Sequence, residues 1–251
     1  MMDEVLESAG LKLGAHLARP KTRGAGRRPG LVLAHGFPAA PAGAGQAGST
    51  YPELADWLAA EAGWVVLAFN FRGAGTSEGD FSLGGWLADL RSAVDHLSSQ
   101  PDVSGVWLAG FRDGGSLALC VAGEDPRVRG VAALAAPVDF DRWASEPRRF
   151  LEEARRAGVI RRREFPPDFD AWARELREIK PLTGAAGVPP RPLLVVHGTD
   201  DVTVPLMDAR ALADAVSNKV EFRVLNGAGH HLRHDPRAVA ILLGWLERQE
   251  V

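Results

Sequence analysis

Short apolar runs recur along the chain, each closed by a turn and most followed by a stretch with helical spacing. Residues 31–34, 64–69, 106–109, 131–136, 192–196 and 220–225 are runs of this kind, long enough for strands and too short for helices. Their near-continuous apolar character predicts strands covered on both faces, as in a parallel sheet. Between them, Trp86, Leu87, Leu90, Val94 and Leu97 fall at helical spacing over 86–97. Helices are also predicted over 116–122, 205–216 and 238–249. Thr50 and Glu53 have capping-box spacing with Pro52 in the first turn, so a helix is predicted from there to about residue 61, closed by Gly63. Residues 5–18 alternate loosely around Gly10 and Gly14 and read as an antiparallel hairpin. Residues 20–30, with Lys21, Arg23, Arg27 and Arg28 among glycines and prolines, read as a solvated loop. The alternation of strand, turn and helix predicts an α/β fold, a mostly parallel sheet with helices on both faces.

Residues 139–180 break the rhythm, because no strand is visible there. Helices are predicted over 142–157 and 168–179, joined by Arg161, Arg162 and Arg163 and by Pro166 and Pro167. Eleven basic residues stand against ten acidic ones in this stretch, so the arginine run reads as a solvated turn, not a binding patch. An insertion between two strands at the C-terminal edge of a sheet sits over a site. Residues 139–182 are therefore expected to form a helical lid within one domain spanning 1–251. Trp143 and Trp172 are candidates to face a pocket, with core packing the plainer reading of each.

Composition narrows the class. The 251 residues are 46% hydrophobic and 24% charged with a net charge of −3, ordinary for a globular protein that buries a sizeable core. Nothing is basic enough to make nucleic acid the main partner. The single cysteine, Cys120, forms no internal disulfide and reads as a buried packing residue. No zinc-ligand spacing is present, so neither a metal nor a cofactor is expected. No apolar run reaches the length of a membrane span. Residues 1–10 are acidic and lack the apolar core of a signal peptide, so the cytoplasm is the expected location. The glycine-rich stretch 72–79 lacks the Lys-Ser/Thr of a phosphate-binding loop and reads as a structural turn.

Candidate chemistry sits at four turns, each at the end of an apolar strand. They are His35-Gly36-Phe37-Pro38, the stretch from Gly110 to Gly115, His197-Gly198-x-x-Asp201-x-x-Val204-Pro205, and Gly229-His230. In order and position they resemble the oxyanion loop, nucleophile elbow, acid and histidine of the α/β-hydrolases, closest to the small esterases and dienelactone-hydrolase-like members. The resemblance covers nearly the whole chain. It implies the α/β-hydrolase fold, Asp201 as the acid and His230 as the base, with Asp200 and His231 as the weaker alternatives. It also implies an oxyanion hole of two backbone N–H groups, from Phe37 and Asp113, donors that survive side-chain substitution. His35 reads as a structural part of the oxyanion loop.

The chain departs from the family at one position. Where the pattern Gly-x-nucleophile-x-Gly places Ser, Cys or Asp, this sequence has Arg112. A guanidinium stays protonated and has no free lone pair, so it cannot attack a carbonyl. Sliding the frame by one makes Asp113 the alternative nucleophile but puts Phe111 where the turn wants a small residue. Sliding it to Ser116 buries Arg112 and Asp113 at a strand end. The main expectation is an esterase-type protein in which acyl-enzyme hydrolysis is weak or absent. A binding site for a small carboxylate or phosphate is one alternative, since Arg112 would stand at a helix N-terminus beside two N–H donors. Another is a general-base enzyme in which His230 and Asp201 activate water. A third is a degenerate scaffold in which Arg112 merely fills the pocket. The expected partner is thus a small-molecule substrate or an anionic ligand.

Overall fold

A computed structural model describes residues 4–21, 26–38, 43–46, 50–216 and 220–249. Among these, eight strands form one sheet: β1 (Glu4–Ser8), β2 (Leu11–Ala18), β3 (Arg28–Ala34), β4 (Val65–Phe69), β5 (Val103–Phe111), β6 (Val128–Leu134), β7 (Leu193–Gly198) and β8 (Val220–Leu225). Their order is β1-β2-β4-β3-β5-β6-β7-β8. The β1–β2 and β2–β4 pairs are antiparallel and the rest are parallel. The helices are α1 (Tyr51–Ala62), α2 (Leu83–Ser98), α3 (Asp113–Glu124), α4 (Asp141–Ala144), α5 (Pro147–Ala157), α6 (Phe169–Glu178), α7 (Pro181–Ala186), α8 (Leu206–Asp214) and α9 (Pro236–Glu247).

Alternation along the strands divides the core in two, which is why those strands read as continuously apolar. Leu31, Leu33, Val66, Ala68, Ala109 and Leu194 point to one face, under α1 and α9. Val32, Val65, Leu67, Leu108, Val131 and Val195 point to the other, under α2, α3 and α8. Ala34 pairs with Gly110 across β3 and β5, so the loop leaving β3 runs beside the turn leaving β5. Gly198 pairs with Leu225, which brings the loops leaving β7 and β8 together. The chain reverses its direction across the sheet between β3 and β5. Such a switch point opens a crevice at the C-terminal strand ends.

Several local expectations are corrected. The hairpin turns at Ala9 and Gly10, both at positive φ, while Gly14 lies inside β2. The solvated loop over 20–30 ends early: β3 starts at Arg28, whose guanidinium donates to the Gly63 carbonyl at 2.9 Å. Residues 22–25, with Arg23, lie outside the described residues, as does much of the loop over 39–49. The Thr50 side chain makes no capping bond to α1, although Gly63 closes that helix at φ 73°. The predicted helix over 142–157 is two helices, α4 and α5. Pro147 has no N–H to continue α4 and instead starts α5, where a missing donor costs nothing.

Helices α4 to α7 fill the connection between β6 and β7. Beneath them an aromatic cluster joins the helical stretch to the sheet. Trp143 stacks on Phe150 at 4.3 Å and Phe150 on Trp172 at 5.8 Å, while Phe37 meets Phe81, Trp143 and Phe150 at 5.2 to 5.3 Å. Each such pair contributes roughly 0.5–1.5 kcal/mol beyond its burial.

Candidate active site

The turn between β5 and α3 is centred on Arg112, whose φ of 58° and ψ of −128° make it a non-glycine residue in strained backbone. That conformation costs about 1–3 kcal/mol and is held by its surroundings. The Arg112 N–H donates to the Leu134 carbonyl at 2.7 Å, and its carbonyl accepts from Gly115 N at 2.9 Å. The flanking glycines permit the sharpness. A Cβ on Gly110 would overlap the Gly114 carbonyl, and one on Gly114 would overlap the His35 carbonyl. Neither shifted frame is realised. Asp113 is the first residue of α3, not the apex of the turn, and Ser116 is fully buried with its hydroxyl donating to the Pro137 carbonyl at 2.6 Å.

Beyond β7, Asp201 is fixed by backbone. Its Oδ1 accepts from the amides of Thr203 and Val204, both at 2.9 Å. Oδ2 accepts from His230 Nδ1 at 2.8 Å. Burial pushes the Asp201 carboxyl up, but the His230 bond and the two amides outweigh it and hold the group below the ordinary carboxylate range. His197, buried at the end of β7, steadies the same loop by donating Nε2–H to the Val204 carbonyl at 2.9 Å. Asp200 instead accepts from the Thr199 hydroxyl at 2.7 Å.

Arg112 then enters this pair. Its Nε donates to His230 Nε2 at 2.7 Å. A guanidinium can only donate, so Nε2 accepts and the ring hydrogen sits on Nδ1, facing Asp201. The lone pair of His230 Nε2 is thereby engaged. Arg112 makes no other side-chain hydrogen bond to the described residues.

The loop leaving β3 is filled as well. His35 is buried, with Nδ1 donating to the Gly36 carbonyl at 2.9 Å and Nε2 accepting from the Phe71 N–H at 3.2 Å. Burial, against the pull of that carbonyl and helped by Arg112, brings its pKa down to about 4. The Phe37 N–H points into the site, but the Asp113 side chain fills the position facing it, accepting at 3.1 Å through Oδ2. Oδ1 is paired with Arg142 of α4. Asp113 is completely buried, and burial pushes its carboxyl up. Arg142, Arg112 and the Phe37 amide together outweigh that and keep it below the ordinary range.

These groups border a cavity of about 430 Å³. Arg112, His230 and His231 form one side, and Phe37, Trp143 and Phe150 form the aromatic wall. The rim carries Arg142, Arg149, Glu146 and Glu153, of which Arg149 pairs with both glutamates. Burial, Arg112 and His230 keep His231 below the ordinary histidine range. Of the two singled-out tryptophans, Trp143 lines the cavity. Trp172 packs behind it, donating to the Phe81 carbonyl at 3.2 Å. Cys120 is buried, its thiol pushed up to about 12 by burial.

The sequence profile of the alpha/beta hydrolase family matches residues 31–241. This chain belongs to the alpha/beta hydrolase family. Solved structures share the fold across their whole length. The alpha/beta hydrolase GrgF from Penicillium sp. sh18 superposes with a TM-score of 0.74 at 22% identity, covering 98% of this chain and 97% of that one. Est1E from Butyrivibrio proteoclasticus, with ferulic acid bound, gives 0.72 at 20% identity, covering 97% and 96%. An uncharacterized protein of Rickettsia prowazekii (strain Madrid E) is 24% identical over 179 residues. That stretch is 68% of this chain and 60% of the Rickettsia protein.

Within this alpha/beta hydrolase the structure brings Arg112, His230 and Asp201 into one chain of hydrogen bonds, and Phe37 and Asp113 into another. Arg142 is the residue the sequence reading missed. It lies in a stretch whose charges nearly cancel, and its partner Asp113 is 29 positions away, so no local signal marks it. No helix among the described residues is long and apolar enough to cross a membrane. No group of three or more His, Cys, Asp or Glu among them is placed to hold a metal ion.

Proposed function

We propose that this alpha/beta hydrolase runs no acyl-enzyme chemistry and that its cavity is a binding site for a small aromatic carboxylate. One observation carries the reading: Arg112 Nε–H sits 2.7 Å from His230 Nε2. Acyl transfer needs that nitrogen free to accept a proton from a nucleophile. Here it faces a guanidinium N–H, which can donate but not accept. The guanidinium nitrogens of Arg112 not committed to His230 offer cationic donors at the cavity wall. A carboxylate matches their fork in two parallel hydrogen bonds. Phe37, Trp143 and Phe150 supply an apolar wall for a ring. Est1E, which shares the fold, was solved with ferulic acid, itself an aromatic acid, and this makes ferulate the natural first probe.

The test is titration of ferulate and benzoate into the purified protein, read by calorimetry and by melting temperature. Binding should raise the melting temperature, and Arg112→Met should abolish the rise. An unchanged melting temperature at millimolar ligand would sink the reading. A second reading keeps the His230–Asp201 pair, intact at 2.8 Å, as a general base toward water after Arg112 swings to a bound substrate. It requires turnover that His230→Ala removes.

A further inference from the structure

We propose that Asp113 is a built-in occupant of the oxyanion hole, clamped by Arg142, and that this pair is a lock on acyl chemistry separate from Arg112. An oxyanion hole is recognised by donors aimed at the position a developing negative charge will take. In this fold one such donor is the backbone N–H two residues beyond the histidine of the first loop, here Phe37 N–H. The atom facing it at 3.1 Å is the carboxylate oxygen Asp113 Oδ2. The protein thus supplies its own anion. Three features show that the carboxylate is placed, not incidental. It is completely buried. Its second oxygen is paired with Arg142, the guanidinium that lies over the Trp143 ring at 4.6 Å. The charges of Arg142 and Arg112 and the hydrogen bond from the Phe37 amide favour its ionised form over the cost of burial.

The two locks act on different steps. Arg112 removes the nucleophile and occupies the base. Asp113 removes a donor that would hold the carbonyl oxygen during attack, and sets a negative charge where another must form. A substrate carbonyl cannot enter that position while the carboxylate holds it. Restoring a hydroxyl at position 112 is therefore insufficient. The same contact limits the ligand. A bound carboxylate meets the exposed side of Arg112 and not the hole, and Arg142 is committed to Asp113. The inference rests on the reading of this site as a closed acyl-transfer site. It does not depend on which ligand the cavity takes.

The experiment compares hydrolysis of p-nitrophenyl acetate by Arg112→Ser, Arg112→Ser/Asp113→Ala and Arg112→Ser/Asp113→Asn. In an open site the introduced hydroxyl gives its proton to His230 Nε2 and its oxygen bonds the carbonyl carbon. p-Nitrophenolate then leaves with the electron pair of the broken C–O bond, and water hydrolyses the acyl group. The Asn variant is the control, since its amide oxygen still accepts from Phe37 N–H and keeps the hole filled. The Ala double variant should turn over at least about a hundredfold faster than the other two, the range of one lost oxyanion donor. Arg112→Ser alone matching it would overturn the proposal. So would a folded Ala double variant that neither turns over nor is labelled by a fluorophosphonate. If that variant does not fold, Asp113→Ala and Asp113→Asn are melted with and without millimolar formate. Formate should raise the melting temperature of the Ala variant alone, and an equal response in both would overturn the proposal. Neither result touches the ligand reading, which is measured on the unmodified protein with ferulate.

Discussion

The two halves of the site differ in what their side chains face. On the β7–β8 side, Asp201 is held by two amides, and His230 Nδ1 faces it at 2.8 Å. The β3–β5 side combines a strained turn with charged side chains. Arg112 still adopts the strained φ of 58°, and Phe37 N–H still points into the site. The side chains placed there, Arg112 and Asp113, engage His230 Nε2 and the Phe37 N–H. A strained turn is therefore evidence for a scaffold and not for the reaction the scaffold carries elsewhere. Strain at Arg112 persists because the glycine contacts and the Leu134 bond over-determine the turn, whatever side chain it presents.

The comparison can be broken most forcefully at the carboxylate. If the β3–β5 side depends on its ion pair, Arg142→Met leaves the buried Asp113 charge without its partner. Stability should fall by about 3 kcal/mol in urea denaturation, and Asp113→Leu placed in the same chain should recover most of it. A loss below about 1 kcal/mol would mean that Arg142 is a surface residue that happens to lie near.

Acid should separate the buried histidine of the β3–β5 side from the carboxylates of both sides next. His35 is held at about 4 against an ordinary value near 6.5, so between those values the unfolded chain binds the extra proton. Stability from this group is complete above about pH 6.5 and is lost as pH falls toward 4, amounting to about 3 kcal/mol. Asp113 and Asp201 are also lowered, but from the carboxylate range, so their contribution is lost only below about pH 4. Melting temperatures across pH 7 to 3 should show the two phases, and His35→Gln should flatten the first.

Smaller effects sharpen the contrast. Arg112→Gly relieves the positive-φ strain while losing one hydrogen bond. It should stabilise the protein by about 1 kcal/mol, the reverse of what removing a structural arginine does. Asp200→Asn, on the surface of the acid loop, should change stability by less than about 0.5 kcal/mol and leave the His230–Asp201 contact alone. Ring-proton shifts of His230 would report that contact directly.

Much of the fold was legible because it depends on local pattern. Buried strands read as apolar runs, Gly63 and Pro52 mark one helix, and the four strand-end turns fall in hydrolase order. The resemblance to the hydrolase motifs favoured Asp201 and His230 over Asp200 and His231, and it is Asp201 that His230 faces at 2.8 Å. What was not legible is set by side chains far apart in sequence. Thr50 has the spacing of a cap, yet its hydroxyl makes no bond to the helix. The single helix expected over 142–157 breaks because Pro147 starts a second helix, α5. Above all, backbone donors at Phe37 and Asp113 were expected to survive substitution, and the Phe37 N–H instead donates to the Asp113 carboxylate. The filling of that space by the Asp113 carboxylate depends on contacts 76 and 29 positions apart, which no window of sequence contains.

The central claim is that His230 Nε2 is occupied and acyl transfer is closed. It is tested most directly by following p-nitrophenyl acetate with the unmodified protein beside its His230→Ala variant. The account predicts that both match the buffer rate. Turnover by the unmodified protein that the variant lacks would contradict it.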